Sequence, residues 1–330
     1  MPDSTPPTAP VSSNAPAAKR KPSNLRLRLI WGIIGAALLL GCVWFGPWTF
    51  GLFFGLVQAI MLWEFYRMMR AGGYAPAAWI GVGVSVYVFA ISAILKFNMY
   101  ADITRIDFAT AGNPGWHTVI LPFAWILGPF LLLPVLLMLR EMLLWPRYDK
   151  PFSNIGVTLA GLVYVSLPMC LLIGLAYNFA LIPDNYNLSA GSVHPNAYDY
   201  RRVFALLFLI WASDIGAFAA GKTFGKHKMA PRISPAKTWE GWAGGFLLTL
   251  LVGWALGSLL PDLPLAHRLV AAGVVAVFAP LGDLAESMLK RSVGVKDSGS
   301  IMPGHGGLLD RFDAFLLVLP VLALLQLLAG

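Results

Sequence analysis

Charge is what this sequence has least of. Asp, Glu, Lys and Arg make up 12% of its 330 residues, about half their share in an average soluble domain. Hydrophobic residues make up 58%, and the mean hydropathy is +0.69. A water-soluble chain cannot hide that much apolar side chain. Soluble domains are therefore excluded, and so are disordered and fibrous chains, which are polar or repetitive. Cysteine is scarce as well. Cys42 and Cys170 are the two present. Both fall within apolar runs and neither has a metal-ligand spacing, so no disulfide framework is implied. No internal repeat is visible.

What remains is an all-α, polytopic transmembrane bundle. A bilayer core about 30 Å thick needs roughly 20 apolar residues in helical form. Helices are forced because lipid cannot satisfy open backbone groups. Nine runs qualify: 29–46, 48–66, 77–95, 117–139, 155–182, 203–221, 242–260, 267–284 and 314–330. Residues 1–28 are rich in Pro, Ser, Ala and Thr, end in basic residues and read as a flexible tail. Residues 29–202 then form N-terminal membrane helices, and 203–330 a C-terminal region that carries the polar loops.

The basic residues set the orientation. With a cytoplasmic N-terminus, Lys96, Arg105, Arg201, Arg202 and Arg268 face outward and the other nineteen of the 24 Lys and Arg face the cytoplasm. This positive-inside bias brings loops 222–241 and 285–313 together on the cytoplasmic face. The net charge of +8 then reports orientation and anionic lipid headgroups, not nucleic acid.

These two loops hold the unusual residues. The first runs from Asp214 through Lys222, Arg232, Ser234, Lys237 and Thr238 to Gly241. The second runs from Asp283 through Glu286, Ser287, Lys290, Arg291, Lys296, Asp297, His305 and Asp310 to Asp313. Glycines let backbone N–H groups approach an anion, and Lys and Arg add charge. Carboxylates beside them would repel a phosphate unless a divalent cation stood between, as Mg²⁺ does when bound by carboxylates and substrate phosphates. On a continued eighth helix, Asp283, Ser287 and Lys290 share a face, with Glu286 on the same side. Asp310 and Asp313 are three apart at the start of the ninth.

Blander readings compete. Loop Lys and Arg are often topology signals only. Asp313 could be a helix cap. Glu64, inside the second span, suits snorkelling or a helix–helix hydrogen bond as well as a role in function. Asp214 cannot face lipid and should look into the bundle or a polar cavity. The stretch Gly216 to Thr223 matches a P-loop pattern, but it lies on an apolar helix with no parallel sheet to support that function.

The run from Ser287 through Lys290, Arg291, Lys296-Asp297-Ser298-Gly299 and Pro303-Gly304-His305-Gly306-Gly307 to Asp310-Arg311-Phe312-Asp313 resembles the signature of the phosphatidate cytidylyltransferase (CDP-diacylglycerol synthase) family. Asp214-Ile215-Gly216-Ala217-Phe218 and Ser234-Pro235-Ala236-Lys237-Thr238-Trp239-Glu240-Gly241 resemble other segments of that family. Met302 and Phe218 depart from it conservatively. The resemblance implies that CTP and phosphatidate give CDP-diacylglycerol and pyrophosphate with Mg²⁺, and it allows K⁺ as a second cation. It implies Asp283 and Asp310 as metal ligands, with Asp214, Asp297 and Asp313 as alternatives. Lys290, Arg291, Lys296 and Arg311 would hold triphosphate or lipid phosphate. Lys222, Arg232, Ser234, Lys237, Thr238, Ser287 and His305 would complete the substrate pocket. The expected setting is the cytoplasmic face of a bacterial inner membrane, and a homodimer is compatible with it. Two other readings stand beside this one. The first is a cytidylyltransferase or CTP-dependent kinase for a different lipid. The second is an ion-coupled transporter using Asp214 and Glu64, which the clustering of polar residues at one membrane face disfavours.

Overall fold

The computed structural model describes residues 24–103, 117–177, 198–301 and 306–329. Most of the expected tail, and His305, lie outside them.

Among the described residues each of the nine apolar runs overlaps a helical rod. In chain order these are α1 (Asn24–Phe45), α2 (Pro47–Ala71), α3 (Ala78–Ile103), α4 (His117–Leu144), a composite rod, α7 (Tyr200–Phe224), α8 (Trp239–Ala255), α9 (Leu265–Ser292) and α10 (Leu309–Ala329). The composite rod joins α5 (Pro151–Gly161) and α6 (Leu167–Ala176) through a π-helical turn, Leu162–Ser166. Pro168 has no N–H to give the carbonyl four residues earlier, and the helix widens just ahead of it. Over the described residues, seven rods are long and apolar enough to cross a membrane. The molecule is a polytopic helical bundle. Its perimeter is apolar: Leu52, Trp79, Leu143 and Phe152 are 74–84% exposed, as lipid-facing residues are when backbone polarity is satisfied within each helix.

One departure from an all-helical expectation lies in the first polar loop. Lys228–Ala230 (β1) and Ser234–Thr238 (β2) pair antiparallel, with Lys228 opposite Thr238 and Ala230 opposite Ser234. This small hairpin is the sheet present among the described residues. It is short, polar and interrupted by Pro235, so nothing in its hydrophobic pattern announces it. Thr238 ends it and caps α8, accepting the Gly241 N–H at 3.1 Å. Glu240 accepts the N–H groups of Lys226 and His227 at 3.1 and 3.2 Å, which ties the hairpin's start to the same helix end.

Glycine contacts set how closely the C-terminal helices approach. A Cβ on Gly216 of α7 would lie 2.7 Å from the Gly244 carbonyl oxygen. One on Gly245 would lie 2.7 Å from the Ser213 oxygen, and one on Gly241 2.8 Å from the Ala217 oxygen. Small residues are how helices pack in lipid, where van der Waals contact replaces the hydrophobic drive. Gly282 does the same for α9 on α10, since its Cβ would stand 2.6 Å from the Asp313 oxygen. α9 therefore packs against α7, α8 and α10, while α10 reaches back to α6 and α2. Leu62, Val165, Met169, Val275, Leu309 and Val318 are among the side chains sealed between them.

Gly245→Val places a branched side chain into the α7–α8 contact. Overpacking of this kind costs about 1–3 kcal/mol. A lowered melting temperature of the detergent-solubilised protein is expected, and an unchanged one would show that the two helices do not depend on this contact.

Candidate active site

Helical spacing and the Gly282 approach build one cluster of acids. Asp283 and Glu286 stand a turn apart on α9, and Asp313 lies in the first turns of α10. Carboxylate oxygens of these three lie within 4.8 Å of one another. Lys237, at the end of the hairpin, places its Nζ 2.8 Å from Asp283 Oδ2 and donates to the Pro280 carbonyl at 2.9 Å. Ser287 donates to Asp283 Oδ1 at 3.3 Å. Lys290 donates to Glu286 Oε2 at 2.7 Å and to Asp310 Oδ1 at 2.6 Å. Asp313 Oδ1 accepts the Ala314 N–H at 2.7 Å. Glu286 Oε1 is buried with no partner.

This arrangement fits a divalent cation. Three carboxylates converge, the two neighbouring ammonium groups approach from the margins, and one buried oxygen remains to be satisfied. An all-oxygen set of this kind suits a hard ion. Of the residues expected as ligands, Asp283 lies in this group with Asp313, which the sequence offers only as an alternative, and Asp310 does not. Glu286, noted in the sequence only as sharing their side, is the third member.

Asp310 stands outside that group. Its Oδ2 accepts from Ser298 N at 3.1 Å, Ser298 Oγ at 2.9 Å and Gly307 N at 2.9 Å, while its Oδ1 takes Lys290. The residue precedes the apolar run 314–330. Burial opposes its charge, but the hydrogen bonds from Lys290 and the Gly307 N–H prevail and hold the carboxyl down to about 2. Asp310 is thus a fixed anion that orients Lys290.

A cavity of about 410 Å³ opens beside the acids, between α7, the hairpin, α8 and α9. Asp214, Lys222, Lys237, Thr238 and Asp283 supply its polar wall, and Phe218, Met229 and Trp242 its apolar one. Asp214 therefore faces a cavity with polar and apolar walls instead of lipid. Lys222 lies over the Phe218 ring at 5.7 Å. The P-loop look-alike is part of α7. Ser234 begins β2 without lining the cavity. Arg232, Arg291, Lys296, Asp297 and Arg311 are exposed and do not line it either. Arg311 still contributes positive charge at Asp214.

Two contributions from the N-terminal half were open or unseen in the sequence. Glu64 of α2 accepts the Leu309 N–H at 2.9 Å and faces Ser298 Oγ at 3.4 Å. Its position inside an apolar span was the signal. Tyr164, on the π-helical turn, has a buried hydroxyl without a partner, and the charges of Glu286 and Asp313 bear on it. No spacing in the sequence points to it.

A family model described as "Cytidylyltransferase family" matches residues 26–328. The phosphatidate cytidylyltransferase of Bacillus subtilis (strain 168) is 30% identical over 91% of this chain and 96% of its own length. The proteins of the same name from Pseudomonas aeruginosa and Staphylococcus epidermidis are 46% and 49% identical over 39% and 38% of this chain. Each of these two matches spans 48% of the relative.

Removing one charge from the acid cluster while keeping its shape tests the metal site. Asp283→Asn should weaken Mn²⁺ binding, followed by electron paramagnetic resonance, by about tenfold or more. Mn²⁺ affinity equal to that of the parent protein would take Asp283 out of the site.

Proposed function

Because the chain belongs to the cytidylyltransferase family, we propose that it transfers the cytidylyl group of CTP to phosphatidate, giving CDP-diacylglycerol and pyrophosphate. The observation that carries this reading is the meeting of Asp283, Glu286 and Asp313 with Lys237 and Lys290 beside a partly apolar cavity. A lipid phosphate and a nucleotide triphosphate are both anions. Both need cations to meet, and one needs an apolar wall for what it carries.

A phosphate oxygen of phosphatidate attacks the α-phosphorus of CTP. That P–O bond forms as the bond to the β-phosphate bridging oxygen breaks, and pyrophosphate leaves with the electron pair. The nucleophile is already ionised, so no side chain has to remove a proton. Positioning and charge neutralisation supply the rate. Asp283, Glu286 and Asp313 would hold the divalent ion, which we assign as Mg²⁺. When bound, it neutralises phosphate charge and orients the reacting groups. K⁺ is the proposed monovalent companion.

The chain's own groups do the rest. An ammonium has three protons. Lys237 directs two toward Asp283 and Pro280, and Lys290 two toward Glu286 and Asp310. Each keeps one for a phosphate oxygen, held in place by its anchors. Arg311 adds charge nearby, and Thr238 and Ser287 complete the polar surround. Lys222, Arg232, Arg291 and Lys296 are exposed and suit anionic headgroups. Residues 203–330 form the catalytic region in this reading, residues 29–202 its membrane support, and residues 1–28 a tail. The site lies at the cytoplasmic face of a bacterial inner membrane.

Purified protein should release pyrophosphate from CTP only when phosphatidate is present, and ATP should not replace CTP. Release without phosphatidate, or a phosphorylated lipid with CDP as co-product, would overturn the assignment. Lys290→Ala should lower turnover about tenfold or raise the apparent KM for CTP comparably. Wild-type kinetics would remove it from the site.

A further inference from the structure

Glu64 is unusual on three counts. It is a carboxylate in an apolar helix, it is 1% exposed, and the polar groups it meets are more than two hundred residues away in sequence. An ionisable group at membrane depth persists only where its surroundings hold it. Here the surroundings are the second polar loop. Glu64 Oε2 accepts the N–H of Leu309, which opens α10, at 2.9 Å. One turn further along α2, Arg67 donates from Nη2 to the Ser298 carbonyl at 3.0 Å. The backbone closes over the same carboxylate. A Cβ on Gly299 would run into Glu64 Oε1, and one on Gly307 into Glu64 Oε2 and Ser298 Oγ.

The residues so gripped are those that fix Asp310. Ser298 gives it both N–H and Oγ–H, and Gly307 gives its N–H. Asp310 in turn holds Lys290 at 2.6 Å. An unbroken line of polar contacts runs from α2 through Ser298 and Leu309 to Asp310 and the ammonium beside the acid cluster.

We propose that Glu64 and Arg67 are positioning residues of the catalytic centre: a clasp from the N-terminal helices that sets Ser298 and the start of α10, and through them Asp310 and Lys290. This rests on the cytidylyltransferase reading for its kinetic consequence. Its structural consequence stands independently. Glu64 touches no reacting atom. Its effect should appear in turnover, not in lipid capture, because the cavity walls come from α7, the hairpin, α8 and α9.

A simple helix cap would predict a different result. Loss of a cap loosens one helix end and lowers stability. Loss of a clasp also releases Ser298, twelve residues before Asp310, and misplaces Lys290.

The test compares Glu64→Ala and Glu64→Gln with the parent enzyme in steady-state kinetics and in hydrogen–deuterium exchange resolved to the segments containing Ser298 and Leu309. Glu64→Ala should lower kcat about tenfold or more, the loss expected when a charge-assisted hydrogen bond that orients a reacting group is removed. The KM for phosphatidate should stay within about twofold of the parent value. Glu64→Gln keeps an acceptor oxygen and should recover much of the turnover. Exchange should quicken at both Ser298 and Leu309 in Glu64→Ala while α7 and α8 stay protected. If Glu64→Ala does not fold, Gly299→Ala takes its place, because it displaces the carboxylate from the loop side and leaves the membrane helix unchanged. It should show the same fall in kcat and the same local exchange. Parent-like turnover in the folded variant, or exchange that quickens at Leu309 alone, would overturn the clasp. If the parent enzyme itself turns over no CTP with phosphatidate, the functional reading fails, and the exchange result still decides the clasp.

Discussion

Like charges packed at close range in a poorly polarisable medium repel, and most of this structure follows from managing that repulsion. Two unit charges about 4–5 Å apart interact with roughly 3–4 kcal/mol at an effective dielectric constant of 20. Asp283, Glu286 and Asp313 lie within 4.8 Å of one another, with Asp310 linked through Lys290. Lys290 enters between α9 and α10, and Lys237 comes down from the hairpin. A protein at rest needs these two cations to hold the acids together. In the proposed reaction the same cations would serve phosphate, so the resting counter-ions would double as substrate contacts.

Backbone geometry makes this possible. Lys237 reaches Asp283 only because the hairpin is fixed at both ends, by Thr238 capping α8 and by Glu240 holding Lys226 and His227. α9 brings its acids to α10 only because Gly282 has no side chain. The same economy of side chains along α7 and α8 leaves Asp214 facing a cavity instead of lipid. Packing without bulk is the usual means of helix association in membranes. Here it also sets distances between charges.

Much of this was legible in the sequence, and the limits have physical causes. Apolar length alone locates the helical rods among the described residues, since a membrane span is a one-dimensional requirement. Spacing along one helix puts Asp283, Glu286, Ser287 and Lys290 on one side, because the period of a helix is known in advance. Pairing between helices is different. Nothing in the order of residues says that Asp310 would be claimed by Ser298 and Gly307, leaving Glu286 to join Asp283 and Asp313. That choice depends on which backbone can come close. The π-helical turn that carries Tyr164 and the hairpin that carries Lys237 are likewise products of local backbone detail, with no hydrophobic period to reveal them. Glu64 is an intermediate case. Its oddity was plain in the sequence, but its partners were not.

The contact between Glu64 and the start of α10 also has a history within each molecule. α2 is synthesised and inserted well before α10, and more than two hundred residues separate the carboxylate from the N–H that receives it. During that interval Glu64 must find temporary company, in water at the membrane edge or in the machinery that handles the nascent chain. When α10 arrives, the waiting group captures it. Until α10 is in place Glu64 lacks the N–H it accepts in the finished bundle, and a chain that stalls before α10 leaves an unmatched acid in its second helix.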